Sequence, residues 1–167
     1  MVLGSAEAAG QLFARIAAAA KAGQDLEEAT IAVLREYQAA RRPIPGYGHP
    51  LHKELDPRAQ QLLNVGREAG CAGTYAAITA AIDKNLATLI GKSLHLNVSG
   101  AIAAVLLDAG YPLEGLKGVP LLARTAGLIA HLVEEQKRPI GFVMSDAAAR
   151  EIAYDGEAPE GFVPSHD

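Results

Sequence analysis

The sequence predicts an all-α protein, and three of its features support that fold class. Apolar residues recur at helical spacing along most of the chain, and helix start and stop signals alternate with turns. No two segments alternate polar and apolar residues in the way that paired strands do. The chain has 167 residues, 50% hydrophobic and 20% charged, which is sufficient for one globular domain with a hydrophobic core.

Two helices are predicted before residue 41. Ser5 and Glu7 open an alanine-rich segment that ends near Gly23. Its apolar stripe consists of Leu12, Phe13, Ile16 and Ala20. Asp25 is a capping residue for the second helix. The apolar positions of that helix are Leu26, Ile31, Leu34 and Tyr37.

Prolines and glycines interrupt regular structure over residues 41–57. Asp56 followed by Pro57 is a strong helix start, and we expect that helix to extend to about Ala69. Further helices are predicted from Thr74 to Leu89, from the capping residue Asn97 to Ala109, and from Leu113 to Glu135 with a break near Gly118. After Arg138 the helical periodicity weakens, which predicts a C-terminal tail.

Charge and composition argue against several classes of function. The formal net charge is −4, and no cluster of Lys and Arg is large enough to bind nucleic acid or an anionic membrane surface. No uninterrupted apolar run of about 20 residues predicts a membrane span, and the N-terminus lacks the pattern of a signal peptide. The single cysteine, Cys71, is typical of a reducing cytoplasm. We interpret it as a packing residue rather than a nucleophile.

The segment between Arg41 and Arg58 holds the residues best suited to bind a ligand. A histidine such as His49 can donate or accept a proton at a carbonyl or hydroxyl oxygen. Arg58, in the first turn of a helix, can grip a carboxylate with two parallel hydrogen bonds. Gly46 and Gly48 allow the backbone to approach a ligand closely. These residues alone leave two interpretations open, an anion site and a solvated polar loop.

Four stretches follow one another in a distinctive order. They are Pro45-Gly46-Tyr47-Gly48-His49 with Lys53 and Asp56-Pro57-Arg58 after it, then 96–104, 123–131 and 136–139. Together they resemble signature segments of the citrate synthase family, and most of all those of the short citryl-CoA lyases. The resemblance implies a truncated citrate synthase-like helical fold, made of the small domain and the closing helices of the large domain.

That resemblance also divides the chain. Residues 1–95 would form a small-domain-like region that carries the substrate and coenzyme loop at 41–58. Residues 96–140 would form large-domain-like helices, and residues 141–167 a tail, all packed as one compact unit.

The resemblance assigns a role to each matched position. His49 would hydrogen-bond the carbonyl of an oxaloacetate-like acceptor, or the tertiary hydroxyl of citryl-CoA. Arg58 and Arg124 would hold the substrate carboxylates. Arg138 matches an arginine that reaches the neighbouring subunit's site, which implies a homodimer. The positions implied to lie along coenzyme A are Arg42, Pro45, Gly46, Tyr47 and Lys53.

The implied chemistry is the formation or cleavage of a carbon–carbon bond through the enol of a coenzyme A thioester. The thioester is a substrate, and neither a metal nor a tightly bound cofactor is expected. Ser99 occupies the position of the family's catalytic aspartate, and an unactivated hydroxyl is a poor base at neutral pH. Asp108 should face the opposite side of that helix. His95 is left open as either a stand-in base or a surface histidine.

The family also uses a histidine on the enol oxygen, from a His-Gly-Gly stretch that precedes the segment matching residues 5–20. No histidine precedes residue 5 here. Two functions are therefore carried forward: a cytoplasmic enzyme of the citrate synthase or citryl-CoA lyase type, and an impaired relative that binds coenzyme A and carboxylates. A truncated chain without activity is a third interpretation. His131 lies on nearly the same helical face as Arg124, so it is either close to substrate or a packed histidine.

Overall fold

The computed structural model describes residues 4–153, 156–157 and 159–162, and its regular structure is helical throughout them. Within these residues the only strand-like feature is an isolated antiparallel bridge between Tyr47 and Leu96. The helices are α1 (Ser5–Lys21), α2 (Leu26–Ala39), α3 (Pro57–Glu68), α4 (Thr74–Ile90), α5 (Val98–Asp108), a 3-10 helix (Leu113–Gly115), α6 (Gly118–Lys137) and α7 (Gly141–Glu151). The predicted all-α fold class is confirmed.

Several helices begin at the capping residues that the sequence predicts. Asp25 Oδ1 accepts hydrogen bonds from the backbone N–H groups of Glu27 (2.8 Å) and Glu28 (3.3 Å). Each of these bonds satisfies a donor that the helix itself cannot pair. Asp56 and Asn97 cap α3 and α5 in the same way. The three predicted caps are therefore confirmed.

Residue contacts group the chain into two compact units, Met1–Arg124 and Thr125–Asp167, whereas the sequence analysis expects one. The first unit has a hydrophobic core to which α1, α2, α4 and α5 contribute. Its largest fully buried apolar side chains are Leu12, Phe13, Ile16, Leu34, Ile78, Ile82, Leu86 and Leu116. Burial of one such side chain stabilises the fold by about 1.5–3 kcal/mol. Ile44 also joins this core, so the loop 41–58 is anchored at one end.

The second unit contains the C-terminal part of α6 and all of α7, and neither helix has a buried residue. Its exposed large hydrophobic residues include Leu128, Ile129, Leu132, Val133, Ile140, Phe142, Val143 and Met144. The division between the units falls inside α6, because the residues that build the core precede it. The boundaries expected at 95/96 and 140/141 describe parts of the family fold, and they stay predictions.

Helix α7 lies in the segment 141–167, which the sequence analysis interprets as a tail. The Glu135 carboxylate accepts hydrogen bonds from the backbone N–H groups of Ile140 (3.0 Å) and Gly141 (2.8 Å), and these bonds lower the pKa of Glu135. The residue at the cap position, Ile140, provides no side-chain cap. Because the cap comes from the preceding helix, no local signal marks the start of α7. The end of the expected tail, residues 163–167, lies outside the described residues.

One stretch, Leu113–Lys137, is long and apolar enough to cross a membrane by length and composition alone. Arg124 and His131 interrupt it, so it does not contain an uninterrupted apolar run of about 20 residues. A single stretch of this kind is weak support for a membrane span, because helices of soluble proteins pass the same test. The absence of a membrane partner stays a prediction.

Gly46 and Gly100 bring the loop 41–58 and helix α5 into direct backbone contact. A Cβ added to Gly100 would lie 2.5 Å from Leu96 Cδ1 and 2.8 Å from the carbonyl oxygen of Gly46. Gly46 has a φ of +84°, a left-handed conformation that residues with side chains rarely adopt. The two glycines therefore set how closely the loop approaches the helix.

We predict that Gly100→Ala lowers the free energy of unfolding by about 1–3 kcal/mol because the added methyl group overpacks this contact. In an open helix the same change would stabilise the protein by about 1 kcal/mol. Gly127→Ala is the matched control, since Gly127 is also helical and nothing lies within 4 Å of its added Cβ. Urea denaturation followed by circular dichroism measures both variants, and equal stabilities would contradict the close approach.

Candidate functional site

Backbone hydrogen bonds hold the loop that carries His49 against the start of α5. Gly48 N donates to the carbonyl oxygen of His95 (2.9 Å), and Asn97 N donates to that of Gly46 (2.9 Å). The side-chain amide of Asn97 also donates to the carbonyl oxygen of Gly48 (2.8 Å). Asn97 thus caps α5 with its oxygen and fixes the loop with its nitrogen, which leaves the backbone before His49 little freedom.

The hydrogen bonds of the His49 imidazole indicate which ring nitrogen carries the proton. Nδ1 accepts from the backbone N–H groups of Leu51 (3.1 Å) and His52 (3.1 Å). In the neutral ring the proton therefore resides on Nε2, an assignment made from the bonding pattern. Arg58 Nη2 lies 3.4 Å from this Nε2. Two donors placed side by side suit an oxygen that accepts from both.

The guanidinium of Arg58 is held by the buried carboxylate of Asp56. Oδ1 of Asp56 accepts from Arg58 Nε (2.9 Å) and from Arg58 N (3.1 Å), and Oδ2 accepts from Arg58 Nη2 (2.9 Å). Oδ2 also accepts from the backbone N–H of Val98, the first residue of α5 (3.0 Å). The Asp56 residue is 1% exposed, while the Arg58 side chain is 51% exposed. The Nε–Nη2 edge of the guanidinium is therefore occupied by Asp56, and Nη1 takes part in none of these bonds.

These contacts set the charge state of Asp56. Hydrogen bonding by the Arg58 side chain, and then by the backbone N–H groups of Val98 and Arg58, lowers the pKa of the Asp56 carboxyl below its usual range, although burial opposes the shift. Asp56 is therefore an ionised, fully paired carboxylate at neutral pH. This pairing makes it a structural anion rather than an acid or base.

A cleft of about 530 Å³ opens beside this loop. It is lined by the first turns of α1, by residues 43–48 and by Asn97. Pro45, Gly46 and Tyr47, three of the five positions expected along coenzyme A, belong to its lining. Glu7 places a carboxylate on the same cleft, which is unfavourable for a phosphate at that point.

Tyr47 lines the cleft, and its side chain packs into the core. The ring is buried, and the hydroxyl donates to the carbonyl oxygen of Thr79 (3.2 Å). Burial raises the pKa of Tyr47 well above its ordinary value. The side chain of Tyr47 is therefore a packing group, and any contact with coenzyme A would come from its main chain.

The two basic residues expected near coenzyme A lie on the surface of the loop. The guanidinium of Arg42 lies 4.4 Å from the centre of the Tyr37 ring, a cation–π contact. Lys53 is exposed. Both cations are therefore exposed to solvent, where a phosphate could reach them. Their contact with the phosphates of coenzyme A stays a prediction.

Ser99 lies in the first turn of α5, directly after Val98. Its backbone N–H donates to Asn97 Oδ1 (3.0 Å), and the residue is half-buried. Its neighbour Val98 donates a backbone hydrogen bond to Asp56, which pairs with Arg58. The structure thus brings His49, Arg58 and the start of α5 into one network at the end of the loop.

Asp108 and His95, the other residues considered as a base for this site, make contacts of their own. The Asp108 carboxylate accepts hydrogen bonds from the backbone N–H groups of Gly73, Tyr75 and Ala76, which caps α4. His95 Nε2 lies 3.3 Å from Ser93 Oγ, and the residue is half-buried. Asp108 therefore serves as a helix cap, a role that the sequence analysis does not predict.

The remaining predicted residues lie on or after α6. Arg124 is exposed. Arg138 is exposed and lines a cavity of about 550 Å³ together with His131 and Glu135, all within the second unit. His131 Nδ1 lies 3.8 Å from Glu134 Oε2, and its side chain is 80% exposed, so it is not a packed histidine. The substrate roles of Arg124 and Arg138 stay predictions. Among the described residues, no group of three or more His, Cys, Asp or Glu is placed to hold a metal ion.

Comparison with known proteins decides the family. The sequence pattern described as "Citrate synthase, C-terminal domain" matches residues 3–141. The chain belongs to the citrate synthase family. Citrate synthases and citryl-CoA lyases act on coenzyme A thioesters. The match includes all of α6, so the apolar stretch described above lies within the segment that matches the family.

The chain is also similar to two known proteins. A citrate synthase-like protein from Phoma sp. (strain ATCC 20986 / MF5453) is 30% identical over 115 residues, which are 65% of this chain and 25% of the relative. The structure of citryl-CoA lyase from Hydrogenobacter thermophilus aligns with a TM-score of 0.75 and 29% identity, over 96% of this chain and 60% of the lyase. The predicted citrate synthase-like fold, in truncated form, is confirmed, and the chain spans only part of each relative.

The pairing of Asp56 predicts how the protein responds to acid. The carboxyl titrates below its usual range when folded and at about 3.9 when unfolded, so it stabilises the fold above about pH 4 and this contribution is lost as the pH falls below that value. We predict that the free energy of unfolding falls more steeply between about pH 4 and pH 2 in wild type than in Asp56→Asn. Urea titrations at several pH values measure these slopes. Parallel slopes for wild type and Asp56→Asn would refute the prediction.

Proposed function

We propose that this chain carries the carboxylate-recognition part of a citrate synthase-like or citryl-CoA lyase-like site. Its ligands are a di- or tricarboxylate and a coenzyme A thioester. The observation that carries the proposal is the adjacent pair of donors, His49 Nε2 and Arg58 Nη2, 3.4 Å apart at the end of the family's signature loop.

The arrangement suits a carboxylate on physical grounds. The Arg58 edge formed by Nη1 and Nη2 can donate two parallel hydrogen bonds to the two oxygens of a carboxylate. His49 adds a neutral N–H donor for a neighbouring carbonyl or hydroxyl oxygen. Both groups are oriented before any ligand arrives, so little reorganisation opposes binding. Arg124 is proposed as a second carboxylate ligand from its matched position.

The cleft beside the loop is the proposed site of the coenzyme. Pro45, Gly46 and Tyr47 line it, and the exposed cations Arg42 and Lys53 are proposed to meet the phosphates. Because Glu7 also borders the cleft, we propose that the phosphates lie on the side of Arg42 and Lys53. The less charged part of the coenzyme would then pass the start of α1.

The proposed reaction is Claisen-type formation or cleavage of a carbon–carbon bond. His49 would hydrogen-bond the oxygen at the carbon where this bond forms or breaks. A base must remove a proton from the carbon next to the thioester, and Ser99 is a weak candidate since its hydroxyl is protonated at neutral pH. This residue favours a second candidate function, an impaired relative that binds coenzyme A and carboxylates.

A homodimer in the cytoplasm completes the proposal. Arg138 matches the position that reaches a neighbouring subunit's site, and the described part of the second unit exposes many large apolar side chains. Surfaces of that kind occur at interfaces between subunits.

We predict that citrate binds the wild-type chain in titration calorimetry and that Arg58→Ala weakens binding by about tenfold or more, the loss expected for a charged hydrogen bond. Arg67→Ala is the matched control. Arg67 lies on the same helix, and its side chain hydrogen-bonds only Asn64 among the contacts described. Citrate binding that is undetectable, or equal in the two variants, would remove the basis for the proposed site.

Turnover distinguishes the two candidate functions. Thiol release from acetyl-CoA with oxaloacetate, and acetyl-CoA formation from citryl-CoA, are compared in wild type and His49→Ala. We predict that Ser99→Asp releases thiol faster than wild type, because a carboxylate can act as the missing base. Wild-type turnover above that of His49→Ala supports the enzyme, whereas binding without turnover supports the impaired relative. An unchanged rate in Ser99→Asp would show that position 99 does not limit the reaction.

A further inference from the structure

We infer that Asp56 is the positioning residue of the carboxylate site. It determines which edge of the Arg58 guanidinium a ligand meets, and it ties that edge to the start of α5. The inference rests on the proposed function, since it concerns how the same site selects and orients its ligand.

The first step is the geometry of the guanidinium. An arginine can present a carboxylate with either the edge formed by Nε and Nη2 or the edge formed by Nη1 and Nη2. Asp56 occupies the first edge, with 2.9 Å bonds from both Nε and Nη2. A ligand is left with the second edge. That edge includes Nη2, the atom 3.4 Å from His49 Nε2, so Asp56 places the ligand-facing donors of both residues together.

The second step is the link to α5. The oxygen of Asp56 that accepts from Arg58 Nη2 also accepts from Val98 N at 3.0 Å. A shift of the arginine would therefore disturb the bond that holds the first turn of α5, the turn that includes Ser99. Because the Asp56 end of these bonds is buried, solvent screens them less than it would an exposed pair, and they resist such a shift.

The third step separates this role from capping. Asp25 caps α2 with bonds to two backbone N–H groups, remains exposed and pairs with no arginine among the contacts described. A cap needs one acceptor oxygen, and asparagine provides it about as well as aspartate. Asparagine at position 56 has only one acceptor oxygen and no charge. With its oxygen in the place of Oδ1 it can keep the cap and the bond from Nε. Its amide nitrogen, in the place of Oδ2, cannot accept from Nη2 or from Val98 N.

The test is a double-mutant cycle in citrate binding. Titration calorimetry gives the Kd of wild type, Asp56→Asn, Arg58→Ala, the double variant and Asp25→Asn, each with its folded state checked by circular dichroism. We expect Asp56→Asn to weaken citrate about tenfold in the wild-type background and less than twofold when Arg58 is already alanine. Asp25→Asn should leave the Kd unchanged. A loss that is the same in both backgrounds would indicate a structural role and overturn the inference.

A second measurement needs no substitution. In ¹⁵N-resolved spectra of the wild-type protein, we expect the Arg58 Nε–H to exchange slowly with water, because Asp56 holds it. Addition of citrate should shift the Nη signals of Arg58 more than its Nε signal. Rapid exchange of the Nε–H without ligand, or a larger shift at Nε, would overturn the inference.

The outcomes also distinguish the two proposals. If wild type binds citrate and Asp56→Asn binds it equally well, the positioning role fails and the proposed function stands. If wild type does not bind citrate, the proposed function fails, and the exchange of the Nε–H still decides whether Asp56 fixes Arg58. If Asp56→Asn does not fold, the wild-type spectra decide the question.

Discussion

The buried carboxylate of Asp56 connects three parts of the molecule that are separate in sequence. It caps α3, pairs with the arginine that we propose as a ligand-binding residue, and accepts a hydrogen bond from the first residue of α5. A buried charge is tolerated only where it is fully paired, so these partners depend on one another. Loss of one partner leaves a buried charge incompletely satisfied, which is why the site and the local fold cannot vary independently here.

The approach of two glycines has a similar effect on the backbone. Gly46 and Gly100 allow the loop to lie against α5 with no side chain between them. Asn97 then bonds the loop on both sides, through its backbone N–H and its side-chain amide. The resulting contact orients the peptide that precedes His49, and the bonds to Nδ1 from Leu51 and His52 orient the ring. Position and tautomer of the imidazole are thus set by main-chain groups.

Much of this fold could be predicted from sequence because its signals are local. The caps at Asp25, Asp56 and Asn97 act on neighbouring residues, and the apolar stripes follow the helical repeat. Helix α7 could not be predicted, since its cap is Glu135 in another helix. At the site, Arg58 and His49 could be named from the motif. The bond from Asp56 to Val98 spans 42 residues, and the buried ring of Tyr47 depends on α4, so neither has a local signal.

The network also bears on Ser99, which the resemblance places at the position of the family's aspartate. At the start of α5, the backbone N–H of Val98 is satisfied by Asp56, and those of Ser99 and Gly100 by Asn97. The side chain at position 99 is therefore not needed to build the helix start, nor to orient Arg58 or His49. A change there can remove a base and leave the proposed carboxylate-binding geometry intact. At the proposed site, binding and proton transfer would therefore be separable, because the side chains that hold this scaffold do not include the one at position 99.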